Sequence, residues 1–267
     1  MKKLGLIAGN RNFPLLLSEQ AKKDDFEVVA IAFKKNTSSN INRYASKVFW
    51  LDIREFNRIF EIFKKEGIEE VVMAGQINPS YLFNKKIMDN QFIKDFLKDL
   101  CDRRASTIFN FIAQRLNNEG FKVLDSTIFM KDFIPSKGVL TLRHPDFNTW
   151  QQVYFGMELA KKIALLDIGQ TIAVKNKTVV AVEAMEGTDR LILRAGKIAG
   201  RGITLVKVSS PSQDMRFDLP VVGINTVKNL IKIKAECLAI EAEKTIFLNR
   251  DKAVQLANKK NFCIVAL

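Results

Sequence analysis

Three short strings in the second half of the chain gather charged and hydroxyl side chains beside glycine or proline. They are Leu166-Asp167-Ile168-Gly169-Gln170, then Val182-Glu183-Ala184-Met185-Glu186-Gly187-Thr188-Asp189, and finally Gln213-Asp214-Met215-Arg216-Phe217-Asp218-Leu219-Pro220-Val221-Val222-Gly223, with Leu205-Val206-Lys207 before the last. Carboxylates so placed can hold Mg2+ or position a water, and Lys or Arg can hold phosphate oxygens. Taken singly, each acid reads more readily as a solvated or salt-bridged side chain. Their density at turns is what sets them apart.

Two turns in the first half offer different chemistry. Gly5-Leu6-Ile7-Ala8-Gly9-Asn10 runs from an apolar stretch into a turn that reaches Phe13-Pro14. A glycine at a strand end lets backbone N–H groups and the next helix's N-terminus approach a phosphate. The dinucleotide fingerprint needs three glycines and a downstream acid, but here only Gly9 is in place and the second strand leads into Lys34-Lys35, which argues against NAD. Ala74-Gly75-Gln76-Ile77-Asn78-Pro79 repeats the arrangement after another apolar run. Ligands of open α/β sheets bind at the carboxyl ends of the strands, so the two turns could line one pocket; two unrelated turns is the plainer alternative.

The elements that must position these residues alternate. Apolar runs at 3–8, 27–33, 47–51 and 70–74 read as strands, with helical patterns at 15–23 and 54–65 between them. Residues 89–116 are helical in pattern, as one helix or two, and 121–124 returns to the sheet. Such alternation implies a parallel sheet covered on both faces. Past Pro135-Ser136-Lys137-Gly138 the order is less regular: a helix at 149–166, two strands around Asn176-Lys177, strands at 204–208, 238–240 and 245–248, and helices at 226–234 and 252–259. The expected fold is α/β, with a Rossmann-like parallel-sheet domain over 1–134 and a mixed α/β domain over 142–267 carrying the acidic motifs. The substrate cleft is expected between them.

Composition bounds the partners. The 267 residues hold 42 Lys and Arg against 29 Asp and Glu, a formal charge of +13. That balance favours anionic partners, yet the lysines are scattered and no basic block is interleaved with aromatics as a nucleic-acid groove requires. Cys101, Cys237 and Cys263 lack metal-ligand spacing and read as free thiols in a reducing compartment, and His144 alone builds neither a metal site nor a nucleophilic triad. The basic start breaks at Asn10-Arg11-Asn12 and no apolar run is span-length, so a cytoplasmic protein is expected.

The strings at 166–170, 182–189 and 216–223 resemble the LpxI family of UDP-2,3-diacylglucosamine pyrophosphatases, and Gly-Leu-Ile-Ala-Gly (5–9), Phe13-Pro14 and Ala74-Gly75 fall in the matching order. The resemblance implies Mg2+-dependent hydrolysis of UDP-2,3-diacylglucosamine to UMP and 2,3-diacylglucosamine 1-phosphate in lipid A synthesis. It makes Asp218 the essential acid and draws substrate contacts from Gly9, Asn10, Gly75, Gln76, Ile77, Asn78 and Thr188. In the mechanism expected on that footing, Asp218 binds the metal or orients the attacking water. Asp189 is a second metal ligand, Asp214 supports them, and Lys207 and Arg216 clamp the diphosphate. The expected partners are the UDP-linked diacylated lipid, the inner-membrane surface in peripheral contact and a second copy in a homodimer, with no nucleic acid. Where relatives carry Gly-Asp-Asp, this chain reads Cys101-Asp102-Arg103-Arg104. Two other classes stay open: a nucleotide-sugar binder without turnover, separated by an assay for UMP release, and a nucleic-acid binder, which would show strongly salt-dependent affinity.

Overall fold

The computed structural model describes residues 1–267 except Ser212, Gln213, Met215 and Asp218. It resolves into two compact units, one of Met1–Lys131 with Asp214–Asp218, the other of Asp132–Gln213 with Leu219–Leu267.

In the first unit, strands β1 (Lys2–Ala8), β2 (Phe26–Phe33), β3 (Lys47–Leu51), β4 (Glu70–Ala74) and β5 (Lys122–Val123) pair in the order β3-β2-β1-β4-β5. Every pairing is parallel. The central strands are near-continuous apolar runs, and a sheet of that composition must be covered on both faces. The helices of this unit are α1 (Phe13–Lys23), α2 (Ile41–Tyr44), α3 (Arg58–Lys65), α4 (Lys85–Met88), α5 (Gln91–Lys98) and α6 (Ala105–Asn118). Helix α3 buries Ile59, Phe60 and Phe63, positions that share one face at 3.6 residues per turn. The helical stretch expected over 89–116 is two helices, separated at residues 99–104. The core of this unit also takes in Phe217, which is buried and stacks on Phe109 with ring centroids 5.4 Å apart.

The second unit contains β6 (Gly138–Val139), α7 (Phe147–Leu165), β7 (Thr171–Lys175), β8 (Thr178–Val182), α8 (Thr188–Ala199), β9 (Thr204–Lys207), β10 (Val221–Gly223), α9 (Ile224–Lys232), β11 (Cys237–Ile240), β12 (Ile246–Leu248), α10 (Arg250–Lys259) and β13 (Cys263–Ala266). Its mixed sheet has the order β6-β13-β11-β9-β7-β8, and β10 and β12 form a separate parallel pair. Strands β9, β11 and β13 run parallel, whereas β6, β7 and β8 are antiparallel to their neighbours. The β7–β8 hairpin turns at Asn176 and Lys177, both with positive φ (50° and 55°), the conformation a two-residue hairpin loop needs. Helix α7 packs against the Val206 face of the sheet, while α8, α9 and α10 pack with Leu205, Leu238 and Ile264 on the other.

Helix α8 is the element the sequence reading passed over. Gly187-Thr188-Asp189 read as a turn, but Gly187 is the N-cap and Thr188 and Asp189 open a helix that buries one face through Leu191, Ile192 and Ala195 and starts without a side-chain cap. Its interior Gly196 weakens the local signal; a Cβ there would stand 2.7 Å from a methyl carbon of Ile233 just past α9, so close helix packing excludes a side chain. Two of the three free thiols, far apart in sequence, meet as register partners: Cys237 of β11 faces Cys263 of β13. Among the described residues no helix is long and apolar enough to cross a membrane.

Candidate functional site

The strand order of the first unit places β2 on one side of β1 and β4 on the other, so the chain reverses direction across the sheet there. The carboxyl ends of β1 and β4 therefore flank a switch point, where open parallel sheets bind their ligands. Gly9 follows β1, Gly75 follows β4, and the two turns interlock. The Gly9 N–H donates to the Ala74 carbonyl at 2.7 Å, and the Asn10 N–H donates to the Gln76 carbonyl at 2.8 Å. A Cβ on Gly9 would stand 2.4 Å from the Gly75 carbonyl carbon, and one on Gly75 (φ +82°) would stand 2.6 Å from the Asn10 carbonyl oxygen. The glycines are thus required by backbone touching backbone. The two amides that could have faced an anion knit the turns together instead.

Asn36, in the turn after β2, completes this edge and was not singled out from sequence. Its amide donates to the Gln76 carbonyl (3.4 Å) and accepts from the Asn78 N–H (3.0 Å), so three loops converge. Asn78 in turn caps Pro79–Phe83 by accepting from the Ser80 N–H. Ile77 packs against the core of the unit, leaving its backbone as the group at the edge. The Asn10 Oδ1 atom is buried without a hydrogen-bond partner, an arrangement native structures rarely tolerate away from ligands or water. Gly9→Ala is expected to destabilise by about 1–3 kcal/mol, as overpacking does, because neither turn can retreat without breaking the Gly9 and Asn10 bonds. Thermal unfolding checks this, and an unchanged midpoint would show that the turns part freely.

In the second unit, register explains why distant motifs cooperate. Thr171 of β7 lies opposite Lys207 of β9, and on its other side its carbonyl accepts the Glu183 N–H. The Lys207 ammonium consequently donates to the hydroxyls of Thr171 and Thr188, both at 3.0 Å, and to Glu183 Oε2 at 3.4 Å. The Thr188 hydroxyl donates onward to Glu183 Oε1 at 2.8 Å. All four residues are buried. Gly169 belongs here too, since a Cβ on it would stand 2.1 Å from the Glu183 carbonyl oxygen. The three hydrogens of Lys207, expected to clamp a diphosphate, are therefore directed inward to this network. Glu183, quoted within its motif but given no role from sequence, is the network's anion.

Asp189 is in the first turn of α8, where a negative charge is favoured, and its Oδ1 accepts from Asn229 Nδ2 at 3.1 Å. Asp214 and Arg216 pair with each other: Nε meets Oδ1 at 3.0 Å and Nη2 meets Oδ2 at 2.6 Å. The Arg216 guanidinium holds the Asp214 carboxyl below the usual carboxylate range. It also lies over the Phe217 ring, 5.7 Å from the centroid. Asp218, the acid on which most of the expected chemistry rests, lies outside the described residues. Asp102, where relatives carry their acidic pair, accepts from Arg104 and from the Thr107 hydroxyl at the start of α6.

The donors available suit a hard cation. Among the described residues no three His, Cys, Asp or Glu side chains converge as a preformed cage. Mg2+ does not require one, because it commonly binds one or two carboxylates together with substrate phosphate oxygens. Asp189, partly exposed at its helix end, can supply such an oxygen.

Among solved structures, phosphoribosylglycinamide synthetase from Anaerococcus prevotii is 13% identical, covers 67% of this chain and 38% of that one, and superposes with a TM-score of 0.25. The biotin carboxylase domain of Hydrogenobacter thermophilus 2-oxoglutarate carboxylase is 13% identical, with 74% and 41% covered and a TM-score of 0.28. Likeness at that level carries no argument. Sequence comparison is informative: the model of the LpxI N-terminal domain matches residues 3–133 and that of the LpxI C-terminal domain matches residues 136–265. UDP-2,3-diacylglucosamine pyrophosphatase LpxI of Caulobacter vibrioides is 25% identical over 268 residues, spanning 97% of this chain and 95% of that protein.

Proposed function

The chain belongs to the LpxI family, and from that membership we propose that it hydrolyses UDP-2,3-diacylglucosamine to UMP and 2,3-diacylglucosamine 1-phosphate in lipid A synthesis. The observation that carries this reading is the match of both family domains in order along nearly the whole chain, with a relative of that name over the same span. The nucleotide part is assigned to the switch-point edge formed by Gly9, Asn10, Gly75, Gln76, Ile77 and Asn78. Hydrolysis of a diphosphate requires a water held in line with a phosphorus–oxygen bond and charge neutralised on the phosphoryl oxygens. In this proposal Asp218 orients the water, while Asp214 holds Arg216 close by for the diphosphate. Lys207 and Thr188 act from within their buried network, fixing the start of α8 and with it Asp189. Mg2+, held by Asp189 and Asp218, would supply charge neutralisation. The reaction is placed in the cytoplasm, at the surface of the membrane that holds the lipid.

The test is UMP release from the UDP-linked lipid by purified protein, with Mg2+ and with excess EDTA. Chelation is expected to lower the rate at least about tenfold, the scale of a lost Lewis acid. Full turnover in EDTA removes the metal from the proposal. Binding of the lipid without UMP release under any divalent ion would make the protein a nucleotide-sugar binder.

A further inference from the structure

Helix α8 enters the mechanism only through its first turn, and its outward face has no role so far. Leu191, Ile192 and Ala195 are buried in the core of the second unit. At 3.6 residues per turn, the side opposite them carries Arg190, Leu193, Arg194, Lys197 and Ile198 within an arc of about 140°. All five are exposed, and Arg201, exposed two residues past the helix, extends the row. Leu193 and Ile198 are 37% and 63% exposed, so two large aliphatic side chains stand in water among four cations.

Helix stability does not account for this face. Arg190 is in the first turn, where the macrodipole disfavours a cation. Arg194 is paired, donating to the Glu186 carboxylate and to the Val182 carbonyl. Arg190, Lys197 and Arg201 have no ion-pair partner among the described residues. Asp189, at the start of the helix, accepts from Asn229 instead. Exposed Lys234 adds to the charge, since its carbonyl accepts the Gly202 N–H at 2.9 Å beside Arg201. Arg makes up 13 of the 42 basic residues of the chain but three of the four in this row. A guanidinium forks onto phosphate oxygens, where an ammonium acts as a point charge.

Phosphate-seeking cations with aliphatic side chains between them match a layer of phospholipid headgroups. Single-stranded nucleic acid would meet the same charges but stacks on aromatic rings, and this row has none. The other side of the sheet also exposes apolar groups, Phe147 and Tyr154 on α7, but there Lys162 pairs with Glu158 and Lys161 with Glu241. Charge therefore selects α8.

We propose that the outer face of α8 docks on an anionic phospholipid surface, with Arg190, Lys197 and Arg201 on headgroup phosphates and Leu193 and Ile198 sunk between them. The choice of a lipid partner rests on the reading above, in which the substrate is a membrane lipid. Asp189 opens the same helix, so docking carries the proposed metal-binding turn to the surface that supplies the substrate.

The test is co-sedimentation of the full chain with vesicles of phosphatidylethanolamine and phosphatidylglycerol, and with vesicles of phosphatidylcholine. Binding is expected to the anionic vesicles only, weakening as salt is raised. Lys197→Gln combined with Arg201→Gln is expected to weaken it about thirtyfold, each cation near an anionic leaflet being worth about fivefold. Ile198→Ser leaves every charge in place and is expected to weaken it about fivefold, part of the transfer of an isoleucine out of water. It also keeps the test open should the double variant not fold. Phe147→Ser, on the other side of the sheet, is expected to change nothing. Failure to bind anionic vesicles, or a loss from Phe147→Ser as large as from the α8 variants, overturns the proposal. So does binding to DNA or RNA that Ile198→Ser leaves intact while vesicle binding is absent. UMP release from lipid in detergent micelles should be unchanged in the α8 variants, whereas release from lipid in vesicles should fall with binding. If the unaltered chain releases no UMP in either form, the assigned reaction fails, and sedimentation still decides whether α8 docks.

Discussion

Replacing Asp218 with alanine is expected to leave a folded protein that still retains the UDP-linked lipid but turns it over at least about a thousandfold more slowly. A loss of that size corresponds to about 4 kcal/mol of transition-state stabilisation. The expectation follows from the position of the residue in the chain. Phe217 before it is fixed in the first core by its stack on Phe109, and Pro220 after it is fixed by the Ile246 N–H. Both anchors are made by the Phe217 ring and the Pro220 carbonyl, so the Asp218→Ala change removes neither. Arg216 has Asp214 as an ion-pair partner. The result is read from thermal unfolding, substrate retention and single-turnover UMP release on one preparation. A stable variant keeping more than about a tenth of normal turnover, a barrier change near 1.4 kcal/mol, removes Asp218 from the mechanism.

The second large effect is expected on stability. Lys207→Met leaves Glu183 as a buried carboxylate with no cation, its side chain only 11% exposed. Breaking a buried pair from one side typically destabilises by about 3–5 kcal/mol, because the remaining charge is uncompensated. For a chain of this size that is a fall of roughly 10 °C or more in Tm. Glu183→Gln combined with Lys207→Met should recover much of the loss, because the orphaned charge is gone, and that non-additivity identifies a coupled pair. If the Lys207 ammonium instead clamps the diphosphate directly, the single variant keeps its Tm and loses turnover per folded molecule. Calorimetry and UMP release on Lys207→Met, Glu183→Gln and the double variant decide between these outcomes.

The first unit was legible in the sequence because its signals are local. Residues 27–33, 47–51 and 70–74 are short apolar runs closed by lysine, acid or glycine, and each became a strand within a residue of the expected bounds. Asn176-Lys177 announced its hairpin for the same reason. What escaped depends on contacts between distant residues. Glu183 matters through Thr171 and Lys207, and nothing in its own neighbourhood says so until the register of β7, β8 and β9 is known. Helix α8 escaped because Gly187 and Gly196, read locally, argue against a helix, and only the approach of Ile233 explains the second of them. The interlock of Gly9 with Gly75 lay between these cases. Both glycines were recognisable at strand ends, but their joint necessity comes from the order β2-β1-β4, which a linear string does not display.

The place of Phe217 in the first core changes what a modular half of this protein is. The family boundary falls between residues 133 and 136, and a gene cut there would yield two pieces of similar length. The earlier piece would then lack an aromatic ring that its own interior is built around, and the later piece would carry that ring with nothing to cover it. During synthesis the same geometry imposes an order. Residues up to Lys131 leave the ribosome well before Phe217 does, so the nascent first unit waits with Phe109 uncapped until most of the second has been made. The two halves are separate as compact bodies but not as heritable parts, since the earlier gene fragment does not encode its complete core.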